Sequence, residues 1–256
     1  MADSLLRIEG VSYTYRETGT RALDNVSLSV SEGEFVSVVG PSGCGKSTLL
    51  SAAAGLLADY DGEIAFKGEK IIRPHPRIGV VFQEDSTFPW RTALRNVEFG
   101  LQMQGMSRQE RRERAMDMLT LVGLEDFADH YPGQLSGGMK QRVAIARTLV
   151  TEPELLLMDE PFGALDEQTR LLLGEELLRI QQTLRQTVLF ITHSISESIM
   201  FSDRVALVSR GPGQIKDVIT IPFDRPRQPD LASTPEFGVQ SARIWGSIRA
   251  ETGATT

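Results

Sequence analysis

One short segment combines glycines with a lysine and a serine at a spacing suited to binding phosphate. It matches the pattern G-x-x-x-x-G-K-S/T and consists of Gly40, Pro41, Ser42, Gly43, Cys44, Gly45, Lys46 and Ser47. The glycines let backbone N–H groups point at phosphate oxygens, and a helix continuing through Thr48 directs its positive end there. Lys46 can reach the terminal phosphates, and Ser47 can offer a hydroxyl to Mg²⁺. The segment predicts nucleotide binding, without choosing among kinases, GTPases and transport ATPases.

Cys44 is the one cysteine of the chain and lies inside this loop. A single cysteine excludes an intrachain disulfide and a cysteine-built metal centre, which favours a reducing compartment such as the cytoplasm. Lys46 and the start of the helix should favour the thiolate of Cys44. We therefore expect a reactive thiol that bound ATP protects.

Two adjacent acids and a histidine follow other apolar runs. Because neighbouring residues on a strand point in opposite directions, Asp159 and Glu160 are predicted to have different functions. Asp159 is suited to holding Mg²⁺, and Glu160 to orienting and deprotonating the attacking water. His193 could contact a γ-phosphate or this water, although by position alone a structural histidine is an equally good interpretation.

A second glycine-containing cradle lies farther along the chain. Ser136, Gly137 and Gly138 open a helix whose apolar positions suit packing against a core. A Ser-Gly-Gly sequence at the start of a helix can also bind an anion. One chain that binds one nucleotide does not obviously need two such cradles.

The elements that must position these residues are visible as short apolar runs. Five of them predict buried parallel strands: Glu34–Val39, Ile78–Phe82, Leu155–Met158, Thr187–Thr192 and Arg204–Val208. Helical patterns between the runs indicate an α/β class with an open sheet, in which ligands bind at the carboxyl ends of the strands. The phosphate loop, the acids and the histidine all follow such ends.

Other segments predict the parts that surround this sheet. Leu5–Tyr15 and Ala22–Val30 alternate with period two and predict an antiparallel β layer, to which residues 61–72 add. Residues from about 91 to 150 predict a helical insertion subdomain, with one helix capped by Ser107 and ended by Gly123. We expect residues 1–215 to form one domain and residues 216–256 a short proline-rich tail with a helix over Val239–Ala250.

Composition limits the classes of partner. A net charge of −7 and a pI near 5.1 argue against broad capture of nucleic acid or of an anionic lipid surface. Glu110 and Glu113 interrupt the basic run from Arg108 to Arg114, which favours a solvated helix face. The apolar runs are too short for a membrane helix, and no secretory signal is visible in the first 30 residues. Any membrane function is expected to come through a partner.

The ordered set of motifs resembles the ABC ATPase family, since Leu135 to Arg142 has the form of its signature sequence. The resemblance covers essentially residues 5–215. It implies a P-loop NTPase core of the RecA-like type and hydrolysis of ATP with Mg²⁺. It also implies a head-to-tail pair of cassettes in which Ser136, Gly137 and Gly138 of one chain cover the γ-phosphate held by the other.

The resemblance further implies functions for residues that spacing leaves unassigned. Tyr15 is similar to the aromatic that stacks on adenine, with a core strand tyrosine as the alternative and Tyr13 on the same face. Gln83 resembles the glutamine that joins the Mg²⁺ site to the transmembrane partner and belongs to the catalytic set with Glu160. The segment from Ala164 to Asp166 resembles the loop that crosses to the opposite nucleotide. His193 resembles the γ-phosphate switch, and Met139 and Ser194 depart from the family's commonest glutamine and aspartate.

The kind of cassette is indicated by weaker markers. A chain without fused membrane helices, a second cassette or long coiled coils favours an importer subunit over exporters and soluble family members. Gln83 to Thr92, Arg210 to Gly213 and Pro235 to Phe237 resemble the nitrate, taurine and aliphatic-sulfonate importer group. The resemblance implies a permease contacted through Gln83 to Trp90, a separate solute-binding protein, and a place at the cytoplasmic face of the membrane. A regulatory or assembly ATPase without transport is the alternative.

Overall fold

The computed structural model describes residues 4–83, 86–163, 165 and 167–252, and for residues 167, 168, 171, 182, 251 and 252 it describes the backbone alone. Ten strands lie in these ranges: β1 Ser4–Thr14, β2 Arg21–Ser31, β3 Phe35–Val39, β4 Asp61–Phe66, β5 Glu69–Lys70, β6 Ile78–Val81, β7 Leu155–Asp159, β8 Thr187–Thr192, β9 Arg204–Val208 and β10 Ile215–Thr220. The same ranges contain seven α-helices: α1 Lys46–Ala53, α2 Ala93–Met103, α3 Arg108–Leu121, α4 Gly137–Leu149, α5 Glu167–Leu184, α6 Ile195–Phe201 and α7 Pro235–Thr252. The alternation of strands and helices confirms the α/β class.

The larger sheet positions the site. Its strand order is β10-β9-β3-β8-β7-β6, with β10 antiparallel at one edge and the other five strands parallel. Every residue of β3, β7 and β8 is buried, as expected for strands covered on both faces. All five apolar runs form this parallel part. Their carboxyl ends meet at one edge, where open sheets of this class bind ligands.

A smaller antiparallel sheet lies against the first helix. Its order is β2-β1-β4-β5, and the buried side chains of β2 alternate with exposed ones. Leu6, Val26 and Leu50 share one core with residues of the larger sheet. β4 and β5 meet in a hairpin whose turn residues Lys67 and Gly68 have φ of 51° and 79°, the conformation that two-residue hairpins favour. This sheet confirms the predicted antiparallel layer.

Three helices, α2, α3 and α4, fill the segment predicted to be a helical insertion. Ser107 caps α3 by accepting a hydrogen bond from the Glu110 amide at 3.3 Å, and Gly123 follows the helix end with a φ of 66°. The Glu110 carboxylate pairs with Arg114. The limits of the subdomain, about 91–150, stay a prediction. None of the described helices combines the length and apolarity needed to cross a bilayer.

The C-terminal segment returns to the larger sheet. β10 pairs with β9, and Phe237 and Ile244 of α7 are buried in a core with Val205. Helix α7 begins at Pro235 rather than at the predicted Val239, because Thr234 accepts a hydrogen bond from the Phe237 amide and proline suits the first helical turn. The predicted start of this helix is therefore wrong. The domain limit after residue 215 stays a prediction.

Candidate active site

The phosphate loop joins the carboxyl end of β3 to α1. Gly45 caps α1 with a φ of 95°, and a Cβ at this position would lie 2.4 Å from the Ala22 carbonyl oxygen, so only glycine fits. Lys46 is buried and folds back over the loop. Its Nζ donates to the carbonyl oxygens of Gly40 at 2.9 Å and Pro41 at 3.0 Å. The shape of the loop is thus held by its lysine as well as by its glycines.

A cavity of about 790 Å³ opens beside this loop, a size within the range of small-molecule sites. It brings together many of the residues predicted for the site: Tyr15, Ser42, Gly43, Gly45, Lys46, Ser47, Thr48, Gln83 and Glu160. These residues come from the phosphate loop, from α1 and from the segments that follow β1, β6 and β7. The fold therefore assembles one site from segments that are far apart in sequence.

Tyr15 and Tyr13 are separated by the structure. The Tyr15 hydroxyl forms a hydrogen bond with Thr48 Oγ1 at 2.9 Å, and its ring lines the cavity. Tyr13 packs against the core of the smaller sheet and meets the edge of the Tyr15 ring at 5.0 Å. This placement supports Tyr15 as the aromatic available to a base, with Tyr13 as its support.

Asp159 ends β7 close to the start of α1. Its carboxyl group accepts a hydrogen bond from the Ser47 side chain, while burial raises the pKa of Asp159 above its usual range. Its Oδ1 atom is buried without a hydrogen-bond partner among the described residues. A buried carboxylate oxygen beside a hydroxyl fits Mg²⁺, which uses few protein ligands and completes its shell with water and phosphate. Ser47, Asp159 and Gln83 are the residues that would hold the ion.

Glu160 lies one residue beyond β7, in a left-handed backbone conformation with a φ of 40°. Such a conformation is costly for a residue with a side chain and is typical of functional sites. The Glu160 amide donates to the Ile191 carbonyl oxygen, which fixes the turn. Its carboxylate lies 3.1 Å from His193 Nδ1 and 3.9 Å from Lys46 Nζ. The side chains of Asp159 and Glu160 therefore point in different directions because of this turn as well as because of strand alternation.

His193 follows β8 at the same edge of the sheet and is exposed. Ser194, the next residue, caps α6 by accepting a hydrogen bond from the Glu197 amide at 3.2 Å. Serine and aspartate are about equally good at this position of a helix. The departure at Ser194 is therefore compatible with the same helix cap beside His193.

The second cradle does not belong to this cavity. The Ser136 side chain accepts a hydrogen bond from the Met139 amide, and Gly138 is packed so closely that a Cβ would lie 2.5 Å from Thr169 Cγ2. Gly137 is exposed at the start of α4. Among the described residues, those that line the cavity do not include these three.

Two predicted segments are described only in part. Glu84 and Asp85, within the segment assigned to the permease, lie outside the described residues, as do Ala164 and Asp166 of the crossing loop. Gln83 is exposed and lines the cavity, and Leu165 is half-buried. The assignment of Asp166 stays a prediction.

The loop from Gly211 to Gly213 packs against the phosphate loop, and the sequence analysis did not assign it to the site. Gly211 and Pro212 line the cavity, and a Cβ on Gly213 would lie 2.2 Å from the Cys44 carbonyl oxygen. The Gly213 amide donates to the Ala22 carbonyl oxygen at 2.9 Å, which brings the start of β2 to the same place. The available signal was the Gly-Pro-Gly sequence itself, which had been interpreted only as a marker of the importer group.

The predicted reactivity of Cys44 is wrong. Its side chain is only 1% exposed, and burial raises the pKa of the thiol despite the nearby Lys46. Lys46 Nζ donates short hydrogen bonds to two loop carbonyl oxygens and makes only a long contact, of 4.0 Å, with the Cys44 sulfur. The Cys44 side chain faces the protein interior, where it belongs to a core with Leu49 and Leu50, and Cys44 is not among the described residues that line the cavity.

We therefore predict that Cys44 reacts slowly with thiol reagents in the folded protein. At neutral pH, labelling of the native chain should be at least about tenfold slower than labelling of the chain unfolded in denaturant, because a buried neutral thiol is a poor nucleophile. Mass spectrometry of timed samples measures both rates. Equal rates in the two states would contradict the buried position.

Comparisons with known proteins agree with this geometry. The ABC transporter family model matches residues 23–163, more than half of the chain. The chain is 47% identical over 232 residues to the bicarbonate transport ATP-binding protein CmpD of Synechocystis, covering 89% of this chain and 82% of that one. It is 43% identical over 249 residues to the taurine import ATP-binding protein TauB of Yersinia pestis, covering 95% and 97%. The dimeric post-hydrolysis structure of the ATP-binding cassette MJ0796 with ADP and Pi matches with a TM-score of 0.76 and 37% identity, over 86% of this chain and all of that one.

Proposed function

Because this chain belongs to the ABC transporter family, as an ATP-binding subunit that hydrolyses ATP, we propose that it drives import of a small anionic solute through a separate permease. This proposal rests on the similarity to the bicarbonate and taurine subunits, which extends along most of this chain and most of each relative. Both solutes are small and carry an anionic group. Nitrate and sulfonates belong to the same chemical class.

We assign the chemistry of hydrolysis to residues that surround the cavity. Lys46 and the amides of the loop from Gly40 to Ser47 would bind the phosphates, and Tyr15 the base. Mg²⁺, held by Ser47, Asp159 and Gln83, would neutralise charge on the phosphate oxygens. Glu160 would accept a proton from the attacking water, and its contact with His193 keeps its carboxylate directed toward the place where a γ-phosphate would end.

We propose a head-to-tail dimer as the active form. The exposed Gly137, at a helix start outside the cavity, is available to a second chain. The helix start favours an anion, so the γ-phosphate of the partner's nucleotide is a suitable ligand. The match to a dimeric cassette supports this arrangement.

The permease contact is proposed at the segment around Trp90. Phe88 anchors this segment: its amide donates to Asn96 Oδ1 at 2.7 Å, and its ring meets the Phe99 ring at 4.8 Å. Trp90 is 71% exposed and lines a groove of about 550 Å³ with several arginines, including Arg108. The basic run from Arg108 thus contributes to a concave surface rather than to a solvated helix face alone. Since Phe88 anchors the segment to the rest of the protein, we assign Trp90 to the contact with the permease.

A permease-bound cassette would lie at the cytoplasmic face of the membrane and would meet a solute-binding protein only through the permease. Reconstitution of the chain with the permease encoded beside it tests the proposed function. We expect ATP-dependent uptake of one labelled solute among bicarbonate, nitrate and taurine or another sulfonate. A chain that hydrolyses ATP but assembles with no permease would favour a regulatory or assembly ATPase instead.

Replacement of Trp90 by alanine is expected to weaken permease assembly and lower uptake while leaving the ATPase of the isolated chain intact. Aromatic anchors of this kind cost on the order of 2 kcal/mol or more when truncated. Co-purification with the permease and uptake in vesicles measure the two effects. Trp245→Ala, which removes the 53% exposed tryptophan of α7, is the matched control. Phe88→Ala should instead destabilise the chain, and a collapse of the isolated ATPase in Trp90→Ala would show that Trp90 also pins the loop.

A further inference from the structure

Hydrogen bonds connect Thr192, Ser194 and Glu197 into a cluster next to His193. The Thr192 hydroxyl donates to Glu197 Oε2 and accepts from the Ser194 amide at 2.9 Å. Glu197 lies on the first turn of α6, and its side chain is only 11% exposed. Because the hydroxyl bonds a donor and an acceptor at once, it fixes the orientation of the peptide group between His193 and Ser194.

The cluster continues to the loop that precedes α5. The Arg170 Nη2 atom donates to the Leu165 carbonyl oxygen at 3.0 Å, and its Nε atom lies 3.8 Å from Glu197 Oε1. That Nε atom is buried and makes no hydrogen bond to any described residue. A shift of about 0.8 Å would bring the pair within hydrogen-bond distance. Arg170 therefore connects the loop around Leu165 with the loop around His193.

We propose that Arg170 and Glu197 are positioning residues for hydrolysis, which hold His193 against Glu160 and link its position to the loop around Leu165. The proposal rests on the function proposed above for His193 and Glu160. Neither residue lines the nucleotide cavity, so both act through His193.

The fold does not need Glu197 to keep α6 in place. Ser194 caps the start of the helix, and the buried guanidinium of Arg227 donates to the carbonyl oxygens of Ile199 and Ser202 at its end, both at 2.7 Å. Ile199 and Phe201 are buried in the adjoining cores. The contacts of the buried Glu197 carboxyl group are instead directed at Thr192, which precedes His193, and at Arg170.

Two substitutions at Thr192 separate positioning from packing. Thr192→Val keeps the shape of the buried side chain and removes the hydroxyl, whereas Thr192→Ser keeps the hydroxyl and removes a methyl group. We expect Thr192→Val to lower kcat by roughly 10- to 100-fold with KM for ATP nearly unchanged, because small displacements at a reacting centre have effects of this size. Thr192→Ser should retain most of kcat. If the activities of the two variants correlated with their thermal stability and not with the presence of the hydroxyl, the proposal would be overturned.

Glu197→Gln tests the link to Arg170, with Glu34→Gln as its matched control. Glu34 pairs with Arg204 at 3.0 Å, and the two side chains are 13% and 28% exposed, against 11% and 29% for Glu197 and Arg170. That pair lies at the amino ends of β3 and β9, away from the site. We expect Glu197→Gln to lower kcat about tenfold and Glu34→Gln to leave it within about twofold. Parallel losses of activity and stability in both variants would refute a positioning function.

A double-mutant cycle with His193→Ala completes the test. If Thr192 and Glu197 act through His193, their substitutions should add little to the loss already caused by His193→Ala. Additive losses would show that the cluster acts elsewhere. An unchanged rate in His193→Ala alone would contradict the function proposed for His193, whereas a loss in that variant without one in Thr192→Val would reject only the positioning cluster.

Discussion

Glu160→Gln should slow ATP hydrolysis by roughly 10²- to 10⁴-fold while ATP continues to bind, because an amide cannot accept the proton of the attacking water. The amide can keep the contact that Glu160 makes with His193 at 3.1 Å. The substitution also removes a negative charge that lies 3.9 Å from Lys46 Nζ, so the affinity for the anionic nucleotide should stay the same or increase. Single-turnover hydrolysis and equilibrium binding of ATP measure the two effects.

Slow hydrolysis should leave an ATP-bound dimer that light scattering detects in the presence of Mg²⁺. Glu154→Gln is the matched control, since Glu154 immediately precedes the same strand but lies at its other end. There it pairs with Lys67 and Arg77, which hold the pKa of Glu154 below its usual range. This control should hydrolyse ATP at the native rate. A native rate in Glu160→Gln as well would remove Glu160 from the mechanism.

The parts of the fold that the sequence predicts are those fixed by local patterns. The strands β3, β7 and β8 are buried at every position and mostly apolar, so they could be located without knowing their neighbours. The antiparallel strands show their one buried face as an alternation. The predicted start of α7 is too late because Pro235 was assigned to the proline-rich segment before the helix. Proline is also common in the first turn of a helix.

The site was predictable where a motif carries its own geometry and was missed where distant segments meet. The phosphate loop is a local structure, so its residues could be assigned from spacing. Gly213 acts through a contact with the carbonyl oxygen of Cys44, and no local pattern reveals that contact. The burial of Cys44 likewise depends on the cores around it, and it reverses the pKa shift expected from Lys46.

The pair formed by Arg170 and Glu197 illustrates the same limit. The two residues are on successive helices, and β8 lies between those helices in sequence. Charge alone would place both on the surface, because isolated arginine and glutamate residues are mostly exposed. Only the packing of α5 beside α6 shows that Glu197 is nearly buried and directed at the strand end that carries His193.

Lys46→Ala should weaken ATP binding by roughly 10- to 150-fold, since a hydrogen bond to a charged group contributes about 1.5–3 kcal/mol. The backbone cradle cannot replace the ammonium group, because its amides carry no net charge. The substitution also removes the hydrogen bonds to the carbonyl oxygens of Gly40 and Pro41, which hold the loop. Equilibrium titration of the chain with ATP measures the loss.

Two controls separate the charge of Lys46 from its effect on the loop. Lys67→Ala removes a lysine that pairs with Glu154 away from the cavity, and it should bind ATP normally. AMP lacks the terminal phosphates that Lys46 can reach, so its weak binding should be nearly the same in Lys46→Ala and in the native chain. Loss of AMP binding to the same extent as ATP binding would indicate a collapsed loop. Unchanged ATP affinity in Lys46→Ala would contradict the assignment of Lys46 to the phosphates.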